Sequence, residues 1–579
     1  MKSIFKHSAN IIFIMTCILA TIDTHLFGYQ SLSKFLLLES GIVIMAAICL
    51  CPYILDKQTV IIGKFELLIS VWIAYVILHG TFMAETFESY RTYYLCVTLA
   101  MAVVLVKMQR KAMLIRENIE MGLLVICFIH IIYIIGQWTG VTDSGNAFFE
   151  ITGSNENPTV TALYLVGCLP MLISRMRLSK SGMLYVLLSC MSIISIWGLR
   201  CRTAYIGLAM EIAIMMIMAL RRKSSSIKWN VYNISLTVFV LLLFVSVAGT
   251  KMYGMKKDSA DGRLLIWKLS AEMIVANPAG YGYGLFEKNY NLYQADHFSG
   301  HEHSGTERRN ADFVYVPYND YLEHGVEGGI VGMGFLAVFY VVMIRKAVLA
   351  DDRKSAAVFG AFAVMSLFNF VYTSIQPWLL MICHSSFVAK QEAYEEIPKR
   401  NPVYTNVLWL VPVVFVAYKI YGFTDAQISL CRIRTQACSN YSAVEHKYKE
   451  LETNIGTSEI YWSSRANNAF KAELYEDALV NIHKARLYSS QPALFAMEYS
   501  CLRCLGNESD AVSILDTMSY MLPQKLSVKY MLMKHYIHIG NLKKARHYAD
   551  DILSTGTKVE SDEANMIINK AKQFKESYE

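Results

Sequence analysis

Apolar runs long enough to cross a lipid bilayer recur through the first 423 residues, and they constrain this chain more than any other feature. Crossing the hydrocarbon core takes about 20 apolar residues in a helix. Such runs fall near 9–28, 34–54, 65–82, 91–107, 119–138, 159–174, 182–198, 203–220, 231–250, 328–348, 356–373, 376–390 and 404–422, about thirteen in all. Backbone polar groups in lipid must be satisfied within the segment, so each run predicts a helix. The expected fold is all-α: a polytopic transmembrane bundle of about 12–13 spans. Lys2 and Lys6 precede the first run and no small-residue cleavage site follows it, which reads as a retained helix.

Composition supports this division. Apolar residues make up 54% of the chain and charged residues 17%, against about a quarter charged in soluble domains. The net charge of +7 is mild and the pI is about 8.6, short of the clustered basic face of a nucleic-acid-binding domain. The 13 cysteines show no zinc-module spacing.

Orientation follows from the loops. Alternate loops carry Lys107, Arg110, Lys111 and Arg116; Arg175, Arg177 and Lys180; Arg221, Arg222, Lys223 and Lys228; Arg345, Lys346, Arg353 and Lys354; and Lys390, Lys399 and Arg400. The positive-inside rule puts these loops and the N-terminus in the cytoplasm. Segment 251–327 and residues 424–579 then lie outside, on the periplasmic face of a bacterial inner membrane. From Thr424 onward 19 basic and 19 acidic residues cancel, so the whole net charge belongs to residues 1–423.

Residues 424–579 repeat a helical pattern every 33–34 residues: YEDALVNIHKA around Ala478, NESDAVSIL around Ala511, NLKKARHYA around Ala545. Gly506 and Gly540 hold the same turn position in successive units. An alanine at a fixed place lets paired helices approach closely, and each pair must stack on its neighbour to bury its apolar face. This resembles a tetratricopeptide (TPR) array of about three units, an α-solenoid expected to bind a peptide or partner protein. Cys501 and Cys504, one turn apart, are expected to pack rather than bind metal.

Several outer-face residues break the charge rule, and such residues default to functional hypotheses. The turn LRCRT at 199–203 sets Arg200 and Arg202 between two apolar helices. A guanidinium fork suits phosphate oxygens, and lipid-headgroup anchoring is the competing reading. In the outer loop, Arg263 and Trp267 lie one turn apart on an amphipathic helix expected to end at Asn277-Pro278. Gly280, Gly282 and Gly284 follow a helix rather than open one, which assigns them to backbone shaping and not to a nucleotide. His297, His301 and His303 read as a solvated loop, and His130 and His384 as packed, hydrogen-bonded core residues. Glu211 is a candidate partner for an inward-turned arginine.

The order TGSNENPTVTALYLVGCLP, LRCRTAYIGL, DGRLLIWKLSAEMIVANPAGYGYGLF and PYNDYLEHGVEGGIVG resembles the O-antigen ligase and polymerase family over residues 140–390. The resemblance implies a GT-C-like membrane glycosyltransferase. It would move a glycan from an undecaprenyl-diphosphate carrier to an acceptor hydroxyl, on lipid A core, another glycan or a protein, without metal or cofactor. It places the family's two arginines on Arg202 and Arg263, with Arg200 as a further diphosphate contact. The family's His-Asn, nine residues, Gly, two residues, small-residue pattern falls on Tyr318, Asn319, Gly329 and Gly332. Tyr318 stands where the family has histidine, and a phenol is a poor base near neutral pH. Asp320 and His324, about one turn apart, are the alternatives. A reaction without a dedicated base and loss of activity are the other possibilities.

Two readings from other classes compete. A lipid-linked-sugar transporter would show inverted repeats and midplane charges, whereas the unusual charges here sit at the outer rim. A non-catalytic scaffold presenting the array would leave Arg202, Arg263 and the Asn319–Gly332 segment without a purpose. Deletion of 424–579 is expected to spare the chemistry and alter acceptor choice or partner assembly.

Overall fold

The computed structural model describes residues 2–22, 30–55, 62–83, 89–176, 182–223, 257–300, 305–391, 409–435, 441–555 and 561–577. The predicted span at 231–250 lies outside them, as do residues 301–304 with His301 and His303. All regular structure in the described residues is helical, in 23 helices. Seven are long and apolar enough to cross a membrane: Leu32–Leu55, Lys64–Phe82, Arg91–Arg110, Arg116–Trp138, Pro158–Met176, Arg202–Arg221 and Asp320–Leu349. Three shorter apolar helices, Ile4–Leu19, Gly182–Gly198 and Ile375–Ala389, pack among them.

The helices used below are α1 (Lys2–Leu19), α2 (Gln30–Leu55), α3 (Lys64–Phe82), α4 (Ser89–Arg110), α5 (Arg116–Trp138), α6 (Pro158–Met176), α7 (Gly182–Gly198) and α8 (Arg202–Lys223). The outer loop adds α9 (Lys257–Ala276), α10 (Phe286–Gly300) and α11 (Gly305–Asn310). The bundle resumes with α12 (Asp320–Leu349), α13 (Arg353–Met365), α14 (Ile375–Ala389) and α15 (Leu410–Thr435). The expected span at 356–373 is shorter in the structure. α13 stops at Met365 and residues 366–374 form a turn, held because Asp320 accepts from Ser366 Oγ (2.6 Å) and Val371 N (3.0 Å). Irregular backbone at membrane depth survives only where protein satisfies it.

One end of the bundle collects the basic loops and neutralises them. Glu66 accepts from Lys107 Nζ (3.0 Å) and Arg110 Nη1 (2.5 Å). Glu120 receives Arg116, Lys354 and Arg175. Arg116 also forks onto Asp352 at 2.6 and 3.0 Å, and Asp352 caps α13 through Ser355 N. Three of the basic loops thus share one end, opposite α12's first residue.

α15 runs without a break through the expected boundary at 423/424 and packs on α2 through Ile420, Phe423 and Cys431 against Leu32 and Leu36. After α16 (Tyr441–Ile455) come three helical hairpins: α17 (Glu459–Lys471) with α18 (Tyr475–Arg486), α19 (Pro492–Cys504) with α20 (Glu508–Met521), and α21 (Leu526–His538) with α22 (Leu542–Ser554). Their first helices begin at 459, 492 and 526, spacings of 33 and 34. Ala478, Ala511 and Ala545 are fully buried between helices. The turns place Glu473, Gly506 and Gly540 at φ 62°, 75° and 73°, the same left-handed corner three times. α23 (Asp562–Ser577) closes the array. Cys501 is buried and Cys504 exposed.

The array is docked on the outer loop. α10 packs on α20, and Ala295 and Phe313 join the core of Phe495, Leu515 and Met518. Gln294 Nε2 donates to Met521 O at 2.7 Å. Glu287 takes Ser489 Oγ (2.9 Å), Ser490 N (3.0 Å) and Ser490 Oγ (2.7 Å). Burial raises the Glu287 carboxyl above its ordinary range, while the Ser490 and Ser489 hydrogen bonds and the nearby Arg91 charge pull it back down.

Candidate functional site at the outer end of the bundle

α12 starts where Asn319 caps it, Oδ1 accepting from Leu322 N at 3.1 Å. Just before, Tyr318 adopts φ 54°, a left-handed conformation costing a non-glycine residue about 1–3 kcal/mol. Its surroundings hold it there. Trp267 Nε1 donates to Pro317 O at 2.9 Å, the Arg263 guanidinium covers the Tyr318 ring at 4.7 Å, and Phe370 meets that ring edge-on at 5.8 Å. The helical spacing of Arg263 and Trp267 therefore has a use: both pin the turn that opens α12.

Arg263 Nη1 donates to Phe368 O at 3.1 Å, and no described carboxylate lies within ion-pair distance of it. Burial lowers its pKa, Tyr318 raises it and the charge of Arg202 lowers it. Arg202 opens α8 directly after buried Cys201. Arg200 is exposed on the turn just before α8, at φ 50°, and its charge acts on Tyr205.

The two remaining candidates point elsewhere. Asp320 is fully buried and commits both oxygens to the turn 366–371, the Val371 N–H reaching each at 3.0 Å. His324 is enclosed by aromatic rings: Tyr372 at 4.3 Å, and Trp72 and Tyr283 at 5.8 Å. Among the other singled-out residues, His130 meets Ser154 Oγ at 3.2 Å and His384 meets Ser355 Oγ at 3.0 Å, both fully buried. Glu211 is buried and makes no ion pair with a described arginine.

The glycines are architectural. α12 breaks at Gly329 (φ 66°, ψ −168°), and four of the backbone groups around the break are re-paired from outside the helix. Tyr281 N and Gly282 N donate to Val326 O and Glu327 O, each at 2.8 Å, and Ile330 N donates to Pro278 O at 3.0 Å. Tyr75 Oη donates to Gly328 O at 2.5 Å. A Cβ on Gly280 would lie 2.4 Å from Gly329 N, and one on Gly329 2.3 Å from Pro278 O. The 280–284 turn thus threads into the break of α12, which requires backbone without side chains. Gly332 lets Tyr283 Oη approach, 2.7 Å from where a Cβ would stand.

Residues 184–337 match the family model described as O-antigen ligase. That stretch, about a quarter of the chain, is similar to the family. No curated protein matches the chain. The matched stretch runs from α7 through α8 and the 257–310 segment into α12 past Gly332, and so contains every candidate residue from Arg200 to His324. Three residues at its edge escaped the sequence reading. Arg91 lies 4.0 Å from Glu323 Oε1, and Glu327 accepts from Phe286 N (3.3 Å) and Tyr372 Oη (3.1 Å). Arg91 was legible as another outer-end arginine, beside the neutral loop 83–90. Nothing in the sequence distinguished Glu323 and Glu327 from ordinary polar residues of a helix start.

Proposed function

We propose that the protein is a glycosyltransferase that moves a glycan from an undecaprenyl-diphosphate carrier to an acceptor hydroxyl. The orientation follows the loop charges: N-terminus cytoplasmic, outer loop and C-terminal array periplasmic. The observation that carries this reading is Arg263, which lies over Tyr318, feels the charge of Arg202 and has no described carboxylate within ion-pair distance. Two like charges brought together favour a dianionic guest, and a diphosphate is one. In the reaction the acceptor oxygen bonds to the anomeric carbon as the bond from that carbon to the diphosphate breaks. The electron pair leaves with the diphosphate, whose growing charge the two guanidinium groups stabilise. Guanidinium charge stands where other phosphoryl-group enzymes use a metal ion. Transfer insensitive to EDTA supports that part of the reading, and loss restored by added Mg²⁺ or Mn²⁺ overturns it.

Arg202→Ala or Arg263→Ala, as the sole copy in the producing cell, should abolish surface glycan and leave lipid-linked donor accumulating. Normal glycan with normal donor in both variants overturns the reading. Ligase-like transfer of a finished chain is the preferred form. Offering lipid A core, a second lipid-linked repeat and a Ser/Thr peptide in parallel to purified protein separates it from polymerisation and protein glycosylation. The docked outer loop gives the array a role beyond partner binding: it holds α10, the helix that follows the 280–284 turn.

A further inference from the structure

Transfer to a hydroxyl releases a proton, and the identity of its acceptor rests on the transfer reading above. Among the titratable side chains at this end of the bundle, six lie on α10, α12 or the turn before α12: Tyr318, Asp320, Glu323, His324, Glu327 and Glu287. Four have their polar groups spent or unsuited. Asp320 is held by Ser366 and Val371, Glu327 by Phe286 N and Tyr372 Oη, and Glu287 by Ser489 and Ser490. Tyr318 gives its ring face to Arg263, and a phenol is a weak proton acceptor at neutral pH. His324 has no hydrogen-bond partner, but the rings of Trp72, Tyr283 and Tyr372 surround it and leave no polar approach.

Glu323 differs from all of them. It is fully buried, and neither carboxylate oxygen has a hydrogen-bond donor of good geometry; the Tyr372 hydroxyl, which donates to Glu327, lies beside it. A buried, unsatisfied carboxylate is costly and calls for an explanation. It lies one turn into α12 from Asn319, about 6 Å along the axis and on the same face. Its charged neighbours are Glu327 and Asp320 on its own helix and Arg91, whose Nη1 lies 4.0 Å away and is buried while the rest of that side chain, 41% exposed, runs to the surface. A second buried oxygen without a donor, Asn369 Oδ1, sits between Phe368, whose carbonyl holds Arg263, and Phe370, whose ring meets Tyr318. Asn369, next to the residue that holds Arg263, and Glu323, one turn into α12 from Asn319, are acceptors that fit a ligand rich in hydroxyl groups, which is a sugar.

We propose that Glu323 takes the proton of the acceptor hydroxyl, with Arg91 as its positioning residue and Asn369 accepting a hydrogen bond from a neighbouring sugar hydroxyl. As the acceptor oxygen bonds to the anomeric carbon and the diphosphate departs with its electron pair, the hydroxyl proton passes to a Glu323 oxygen. It returns to solvent past Arg91.

The test uses full-length Glu323→Gln and Arg91→Lys as sole copies, reading surface glycan, accumulated lipid-linked donor, and donor that co-purifies with the detergent-solubilised protein. Glu323→Gln is expected to lower transfer at least about 100-fold, the usual contribution of a general base, while donor still co-purifies. Arg91→Lys is expected to keep donor and lower the turnover rate by less. Wild-type transfer in Glu323→Gln overturns the proposal. Loss of folding or of donor binding in that variant also overturns it, because the carboxylate would then serve the structure. Arg263→Ala is the control: wild-type transfer and donor retention there would sink the transfer reading itself, whereas its loss beside an active Glu323→Gln removes only the role of Glu323.

Discussion

The two ends of the helical bundle carry similar charged residues and treat them in opposite ways. At the end that gathers the basic loops, Glu66, Glu120 and Asp352 each hold one or more cations at 2.5–3.3 Å. At the other end, Arg263 has a carbonyl and a ring for partners, and Glu323 has an arginine at 4.0 Å and no hydrogen bond of good geometry. The first arrangement joins α3 to α4, and α5 to α6 and α13, and its charges satisfy one another. The second leaves charge and hydrogen-bonding capacity for something that is not protein. Charge on a membrane protein's helix ends therefore has two uses, fastening and reaction, and the partners tell them apart.

The comparison can be broken at either end. The largest expected effect is on chemistry: Arg263→Ala should reduce transfer about 10²–10³-fold or more, the scale of losing one charge-stabilising donor, with thermal stability in detergent nearly unchanged. If the protein also unfolds, Arg263 belongs with the fasteners. At the opposite end, Glu120→Ala leaves Arg116, Arg175 and Lys354 without their common carboxylate. It should cost about 3–5 kcal/mol, seen as a lower unfolding temperature and less inserted protein, with normal transfer per folded molecule. Gly329→Ala forces φ 66° on a residue with a side chain and drives its Cβ against Pro278 O. It should cost about 1–3 kcal/mol in strain alone, and faster proteolysis of the 278–284 turn would report the undocking.

Glu287→Ala should cost about 1.5–3 kcal/mol and loosen the seam between α10 and the array, read by hydrogen exchange at 286–300 and 487–491. Its effect on transfer also tests the expectation that the array can be deleted without harm to chemistry, which the docking of α10 argues against. The smallest effect is at Tyr318. Tyr318→Phe keeps the ring over Arg263 and should leave transfer within about twofold, while Tyr318→Ala removes a cation–π contact of about 0.5–2 kcal/mol. A large loss in Tyr318→Phe would give the hydroxyl a role in the reaction.

Much of this was legible beforehand for simple reasons. A membrane span is a property of about 20 consecutive residues, and a helical hairpin repeat is a property of a 33–34 residue period, so both appear in one-dimensional patterns. Arg202 and Arg263 were visible because the positive-inside rule makes an outer cation conspicuous. Asp320 and His324 show the limit of the sequence, which tells which group is present and not what surrounds it: one fastens the 366–371 turn, the other is enclosed by rings. The shortening of the predicted 356–373 helix was hidden too, since apolar content says nothing of a tether from Asp320.

The sequence by itself determined the class of object: an all-helical bundle with helices long and apolar enough for a bilayer, a periodic C-terminal array, and arginines set apart from the basic loops. Those are consequences of local composition and spacing. Tertiary structure alone decided which side chains meet. It set Arg263 on Tyr318, spent Asp320 on a turn 46 residues away, threaded Gly280–Gly284 into the break at Gly329, and left Glu323 without a donor of good geometry. Partnership between residues hundreds of positions apart depends on how helices pack, and packing is where a charge becomes either a fastener or a reactive group.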